Sequence, residues 1–207
     1  MRLLLVFMLI SSFAVAQQSE QQLAYQYYVN GEYNKAIAIY EELNEERFSV
    51  AYFIPYFGSL LNIEDYKSAE KLAKKVAKIY PRSLNYQLEI GIAQEKSGNQ
   101  KRANRTFSKV YEALDGKQSQ AINLANTFRR YEMYEQALNV YLLSEKINKK
   151  SSFGTRKAQL YSQLGKVDLM IAEYLNELKR NPRKKQTVMA QVQRFLNNDG
   201  IKSERNY

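Results

Sequence analysis

Residues 91–107, GIAQEKSGNQKRANRTF, carry the pattern that decides the fold. The small residue Gly91 is followed twelve positions later by Ala103, and Phe107 comes four positions after that. Small side chains that face each other across a turn allow two helices to approach closely, and a residue four positions on lies on the same helical face. Between them, Gly98 suits a helix end. The stretch therefore predicts two antiparallel helices joined by a tight turn.

The same pattern occurs five times in the 207-residue chain. A fixed period of about 34 residues is typical of repeat proteins, in which each helix pair buries its apolar face against its neighbours. The five packing triads are Ala24, Ala36 and Tyr40; Phe57, Ala69 and Ala73; Gly91, Ala103 and Phe107; Ala125, Ala137 and Tyr141; and Ala158, Met170 and Tyr174. They predict repeats near 17–48, 49–82, 83–116, 117–149 and 150–182, with turns that begin at Gly31, Glu64, Gly98, Glu132 and Gly165.

These repeats resemble the tetratricopeptide repeat (TPR) family from about residue 18 to about residue 182. Leu23-Ala24 with Tyr27, and Leu124-Ala125 with Phe128, match the first-helix core of the family motif. The resemblance implies an all-α fold, a right-handed α-solenoid of about five helix pairs, each with its first helix lining a concave groove. An amphipathic segment at 183–198 is predicted to form a C-terminal capping helix, and residues 199–207 to form a disordered tail.

The chain contains no histidine and no cysteine. Without histidine there is no Ser-His-Asp machinery, and the commonest metal ligand is missing. Without cysteine there is no thiolate zinc site, iron–sulfur cluster or disulfide. We therefore expect no catalytic residues, no cofactor and no metal site, and we predict that the chain is not an enzyme.

Residues 1–16 have the features of a signal peptide. Arg2 supplies a positive charge, residues 3–13 form a mainly apolar run, and Ala14-Val15-Ala16 fits the small-x-small pattern of a cleavage site. The apolar run is shorter than the roughly 20 residues that a helix needs to cross a bilayer. The segment predicts export, with the periplasm of a bacterial envelope as the destination, so the chain resembles the exported envelope type of TPR protein. Retention of the segment as a membrane anchor is the alternative.

The resemblance implies that a protein or peptide partner binds in the concave groove. The first-helix positions that face it correspond here to Tyr25, Tyr28, Leu61, Asn62, Leu88, Ile92, Asn123, Asn126 and Arg130. Asn123, Asn126 and Arg130 are spaced to share one helical face, and amides together with a guanidinium can bind a peptide backbone or a carboxylate. An ordinary solvated polar face is the alternative for these three. The lysine and asparagine clamp with which one TPR subclass binds chaperone tails is absent.

Positive charge is concentrated in the C-terminal half. Residues 146–185 contain eleven lysines and arginines against three acidic residues, and Arg180, Arg183, Lys184 and Lys185 are the densest group. This balance suggests a peripheral contact with an anionic membrane or an acidic partner, with plain solvated surface as the alternative. Nucleic acid is disfavoured, because the tyrosines occupy core positions of the repeats instead of forming a stacking platform.

The sequence thus predicts an exported TPR scaffold or adaptor that binds a protein partner in envelope assembly or secretion, by analogy with the fold class. Two alternatives remain. In the first, the chain is the N-terminal structural or oligomerisation module of a longer envelope protein. In the second, it is a non-catalytic subunit of an enzyme that acts on an envelope polymer.

Overall fold

The computed structural model describes residues 20–46 and 49–204. This part of the chain is built of helices and connecting turns, which confirms the predicted all-α class. The predicted signal peptide lies outside the described residues. The helices are α1 (20–29), α2 (Tyr33–Glu46), α3 (Phe53–Asn62), α4 (Tyr66–Ile79), α5 (Leu84–Lys96), α6 (Gln100–Glu112), α7 (Gln118–Arg130), α8 (Tyr134–Ile147), α9 (Gly154–Gln163), α10 (Val167–Arg180) and α11 (Lys185–Glu204). Single 3-10 turns, Val50–Tyr52 and Pro182–Lys184, precede α3 and α11.

The same turn closes every helix pair. Five residues at equivalent positions have left-handed φ angles between +60° and +78°, namely Gly31, Glu64, Gly98, Glu132 and Gly165. At each turn the N–H of the next residue donates to the carbonyl oxygen five residues earlier, at 2.8–3.0 Å. This Schellman arrangement satisfies carbonyl groups that the helix end leaves free. All five predicted turns are present, and two of them place a glutamate where glycine is favoured.

Replacement of Glu64 or Glu132 by glycine is expected to stabilise the protein by about 0.5–1 kcal/mol each, because a residue with a Cβ is strained in the left-handed region. Urea unfolding followed by circular dichroism measures the change. Gly165→Ala is the converse control, since its new Cβ would have no atom within 4 Å and would add only backbone strain. It should lose a similar amount. If Glu64→Gly and Glu132→Gly both lower the free energy of unfolding, the two glutamates are not strained in the left-handed region.

The chain divides into two compact units after residue 109. Unit 1 contains α1–α5 and most of α6, and its core is largely aromatic. The ring centroid of Tyr40 in α2 lies 5.6 Å from those of Tyr52 and Tyr56. The rings of Phe53 and of Tyr86 in α5 form a T-shaped pair with centroids 5.2 Å apart. Aromatic contacts of this kind join each helix pair of unit 1 to the next.

The five packing triads predicted from the sequence are buried at every position. At Gly91 of α5, in unit 1, a Cβ would lie 2.4 Å from the ring of Phe107 in α6, so the two helices pack closely there. In unit 2, Ala125 of α7 and Ala137 of α8 are fully buried. The small residues therefore determine how closely the two helices of a pair can pack.

Unit 2 contains α7–α11 and ends on a covering helix. Val188 of α11 belongs to a buried cluster with Ala158, Met170 and Tyr174 of the last helix pair, and Val192 and Phe195 pack against that cluster. The helix continues to Glu204, beyond the predicted end at residue 198 and into the segment that we expected to be a disordered tail. Asparagine and glycine weaken a helix by only about 1 kcal/mol and leave its backbone hydrogen bonds intact, so they do not stop it here.

Candidate partner-binding surfaces

In unit 1, the exposed face of α1 borders a groove of about 420 Å³, which we call the α1 groove. Its lining residues are Gln21, Gln22, Tyr25, Gln26, Tyr40, Ala51, Tyr52 and Pro55. None of these eight side chains is charged. Tyr25 lies at the rim with 54% of its surface exposed. The groove combines phenol rings, which offer apolar contact, with amides, which donate and accept hydrogen bonds.

Tyr25 and Tyr28, the two tyrosines among the predicted groove residues, are neighbours. Their ring centroids are 6.1 Å apart. Tyr28 is half-buried, and its ring lies so close to Gly58 of α3 that a Cβ there would be 3.0 Å from the ring. Tyr28 therefore joins α1 to α3, whereas Tyr25 remains accessible to a partner.

Tyr40 and Tyr52 line the α1 groove although neither was predicted to do so. Tyr40 is almost fully buried, and burial raises the pKa of its hydroxyl, with further contributions from Tyr25 and Tyr28. Burial likewise raises the pKa of Tyr52. The groove therefore stays uncharged at neutral pH. The sequence pattern placed Tyr40 only in a packing triad, and it gave no sign that the 3-10 turn before α3 would bring Tyr52 beside it.

The predicted groove residues of α3 and α5 have different surroundings. Leu61 is half-buried, and the exposed Asn62 donates its side-chain amide to the carbonyl oxygen of Gly58 at 2.8 Å. Leu88 and Ile92 are 0% exposed, so they belong to the core of unit 1 and do not line an open surface. The reason is that α5 is buried on several faces, and apolar spacing within one helix does not show which of its faces neighbouring helices will cover.

In unit 2, the predicted cluster on α7 lies on one exposed face. Asn123, Asn126 and Arg130 are all exposed. Asn126 accepts a hydrogen bond from the guanidinium of Arg129 at 3.3 Å, and the guanidinium of Arg130 lies 5.8 Å from the ring centroid of Tyr131. The spacing therefore brings the three side chains onto one accessible polar strip, and whether a partner contacts them remains a prediction.

Part of the basic segment 146–185 is neutralised within unit 2. Lys157 is buried and its ammonium lies 2.8 Å from carboxylate oxygens of both Glu145 and Glu173. Lys184 forms an ion pair with the buried Glu177. The positive charge that reaches the surface here is thus smaller than the residue count suggests.

Over residues 20–46 and 49–204, no group of three or more acidic residues is placed to hold a metal ion. In the same part of the chain, no helix combines the length and the apolar character that crossing a bilayer requires.

The chain is similar in structure to solved helical repeat proteins. One is a thermophilic TPR protein of Thermus thermophilus, with 16% sequence identity and a TM-score of 0.47, where the match covers 87% of this chain and 98% of that one. Another is MamA from Desulfovibrio magneticus, with 15% identity and a TM-score of 0.44, covering 79% and 95% respectively. No family model and no curated protein matches the sequence. The assignment of the fold therefore rests on the helix pairs and turns of this chain itself.

Proposed function

We propose that this protein is a non-catalytic interaction scaffold, exported to a bacterial envelope, that binds a segment of another protein. The observation that carries the proposal is the α1 groove of unit 1, with Tyr25 exposed at its rim. An exposed aromatic ring beside a groove is the kind of anchor that dominates binding energy in protein interfaces. The envelope location rests on the signal-like residues 1–16.

The lining of the α1 groove favours an uncharged, extended polypeptide segment. Its glutamine side chains can pair with backbone N–H and C=O groups, and its tyrosine rings can contact apolar side chains. A volume of about 420 Å³ is within the range of small-ligand pockets. Because the lining has no charge, binding there should depend little on salt concentration.

Unit 2 offers a second surface of different chemistry. The exposed Asn123, Asn126 and Arg130 suit a polar or carboxylate-bearing stretch, because a guanidinium forms strong charge-assisted hydrogen bonds with carboxylates. Two separate contact surfaces would raise the avidity for one partner chain that engages both of them.

Site-specific photo-crosslinking in the native host tests the proposal. A photoreactive residue at Tyr25 or at Asn126 is expected to capture the same polypeptide. The same residue at Ala38 of α2 or Lys146 of α8, which are exposed and belong neither to the α1 groove lining nor to the α7 strip, should not. N-terminal sequencing of the captured scaffold should begin at Gln17 if the leader is removed on export.

A double variant completes the experiment. With the photoreactive residue placed at Gln22, another exposed residue of the α1 groove, Tyr25→Ala with Asn126→Ala should lose the captured polypeptide. Its circular dichroism spectrum should stay unchanged, since both substituted side chains are exposed. Equal labelling from all four positions, or full capture by the double variant, would show that the partner binds elsewhere.

A further inference from the structure

In unit 1, the basic and acidic residues of segment 66–109 differ in their exposure to solvent. The segment contains eleven lysines and arginines and three glutamates. All eleven basic residues are exposed, and none of the three glutamates is. Glu89 is buried, Glu95 accepts hydrogen bonds from Gln100, and Glu70 is held by Lys74 and Arg102. The exposed basic residues are Lys67, Lys71, Lys74, Lys75, Lys78, Arg82, Lys96, Lys101, Arg102, Arg105 and Lys109.

Most of these charges lie on the outer faces of α4 and α6, which we call the α4–α6 basic face. The lysines of α4, at positions 67, 71, 74, 75 and 78, fall on one side of the helix, opposite the buried Ala69, Leu72, Ala73 and Val76. Arg102 of α6 lies 2.5 Å from Glu70 of α4, so the two helices are side by side at this point. Exposed basic side chains therefore lie on two neighbouring helices, with Glu70 paired to Lys74 and Arg102 where the helices meet.

The basic face is broad, and one end of it is apolar. All five α4 lysines line an open depression of about 1000 Å³ beside α2, and Glu41 and Glu70 also belong to its lining. At the end of α4, Ile79 is 49% exposed and Tyr80 is 41% exposed, and basic Lys78 precedes them. Tyrosine and aliphatic side chains beside lysines are the combination found where helices rest in the interfacial region of a bilayer.

We propose that the α4–α6 basic face docks on an anionic phospholipid bilayer, with its lysines on the headgroup phosphates and Ile79 and Tyr80 at the interface. Eight of the eleven bases are lysine, a compact hydrated charge that suits a diffuse array of phosphates better than bidentate recognition. Within residues 66–109, Tyr80 is the one exposed aromatic residue, whereas single-stranded nucleic acid needs several rings for stacking. This docking surface is separate from the α1 groove.

Vesicle co-sedimentation tests the proposal with the full chain. We expect binding to vesicles of phosphatidylcholine mixed with phosphatidylglycerol, and a steep loss of binding as salt is raised. Lys71→Glu, Lys78→Glu and Lys101→Glu together should weaken binding about 100-fold or more, since each lysine near an anionic surface contributes roughly a fivefold factor. The apolar N-terminal run is the same in every variant, and its own contribution is measured on pure phosphatidylcholine.

The matched control reverses the same number of exposed charges in unit 2. Lys149→Glu, Lys150→Glu and Lys185→Glu together should leave most of the binding intact. Ile79→Ser with Tyr80→Ser should weaken it by about tenfold through lost interfacial contact. Equal losses from both triple variants, equal binding to neutral vesicles, or binding to polyglutamate or RNA without binding to anionic vesicles would each overturn the proposal.

Discussion

Replacement of Lys157 by methionine is expected to lower the free energy of unfolding by about 3–5 kcal/mol, because it would leave two glutamates facing each other without their shared cation. The side chain of Lys157 is only 6% exposed, and its ammonium lies 2.8 Å from Glu145 of α8 and from Glu173 of α10. Glu145 also accepts a hydrogen bond from the backbone N–H of Phe153 at 2.9 Å. One ammonium on α9 thus links three helices of unit 2.

The charge state of Lys157 follows from a balance of two effects. Burial acts to lower the pKa of its ammonium, but hydrogen bonds and charge attraction from Glu145 and Glu173 outweigh burial and raise the pKa above its usual value. The side chain therefore stays charged at neutral pH. Its contribution to stability should be fully present below about pH 10.4, the ordinary lysine pKa, and should disappear as the pH rises through the folded value.

Urea unfolding of three variants separates the buried ion pairs from general effects of the substitution. Lys166→Met removes an exposed pair with Glu135 in the same unit and should cost no more than about 1 kcal/mol. Adding Glu145→Gln and Glu173→Gln to Lys157→Met should recover much of the loss, because neutral amides do not repel each other. If Lys157→Met lowers the free energy of unfolding no more than Lys166→Met does, the buried ammonium contributes no more to stability than an exposed ion pair.

The second large effect is expected at Gly91. Glycine to alanine inside a helix ordinarily stabilises by about 1 kcal/mol. Here the new Cβ would lie 2.4 and 2.7 Å from two ring carbons of Phe107, a buried residue with little freedom to move. Overpacking of this kind typically costs about 1–3 kcal/mol. We therefore expect Gly91→Ala to be destabilising despite the gain in helix propensity, and Gly91→Val to lose more.

Thermal or urea unfolding checks this with a control from the same unit. Gly58→Ala also adds a Cβ beside a ring, but at 3.0 Å from Tyr28, which is half-buried and so less confined than the buried Phe107. Its loss should be smaller than that of Gly91→Ala. Phe107→Leu should make Gly91→Ala better tolerated, since leucine lacks the ring carbons that clash. A stabilising Gly91→Ala would show that α5 and α6 can separate at little cost.

The packing triads and turns show how much of this fold could be predicted from the sequence. Gly91, Ala103 and Phe107 revealed a helix pair because close approach of two helices restricts side-chain size at fixed positions, and those restrictions recur in every repeat. Glu64 and Glu132 were placed correctly as turn residues by that repetition, although neither is a usual left-handed residue. The last helix was predicted to end at residue 198, but in the structure it continues to Glu204, because asparagine, aspartate and glycine weaken a helix without removing its backbone hydrogen bonds.

The sequence by itself determined the all-α class, the helix pairs and the polar strip on α7, because each depends on spacing within one helix or one turn. Only the tertiary structure decided that Leu88 and Ile92 are core residues, that Tyr40 and Tyr52 line the α1 groove, and that Lys157 is a buried ion-pair partner. The tertiary structure also decided that all basic side chains within residues 66–109 are exposed and that none of the three glutamates is. These properties depend on which neighbouring helix covers a given face. Such contacts join residues of different helices, and the spacing of residues within one helix does not show them.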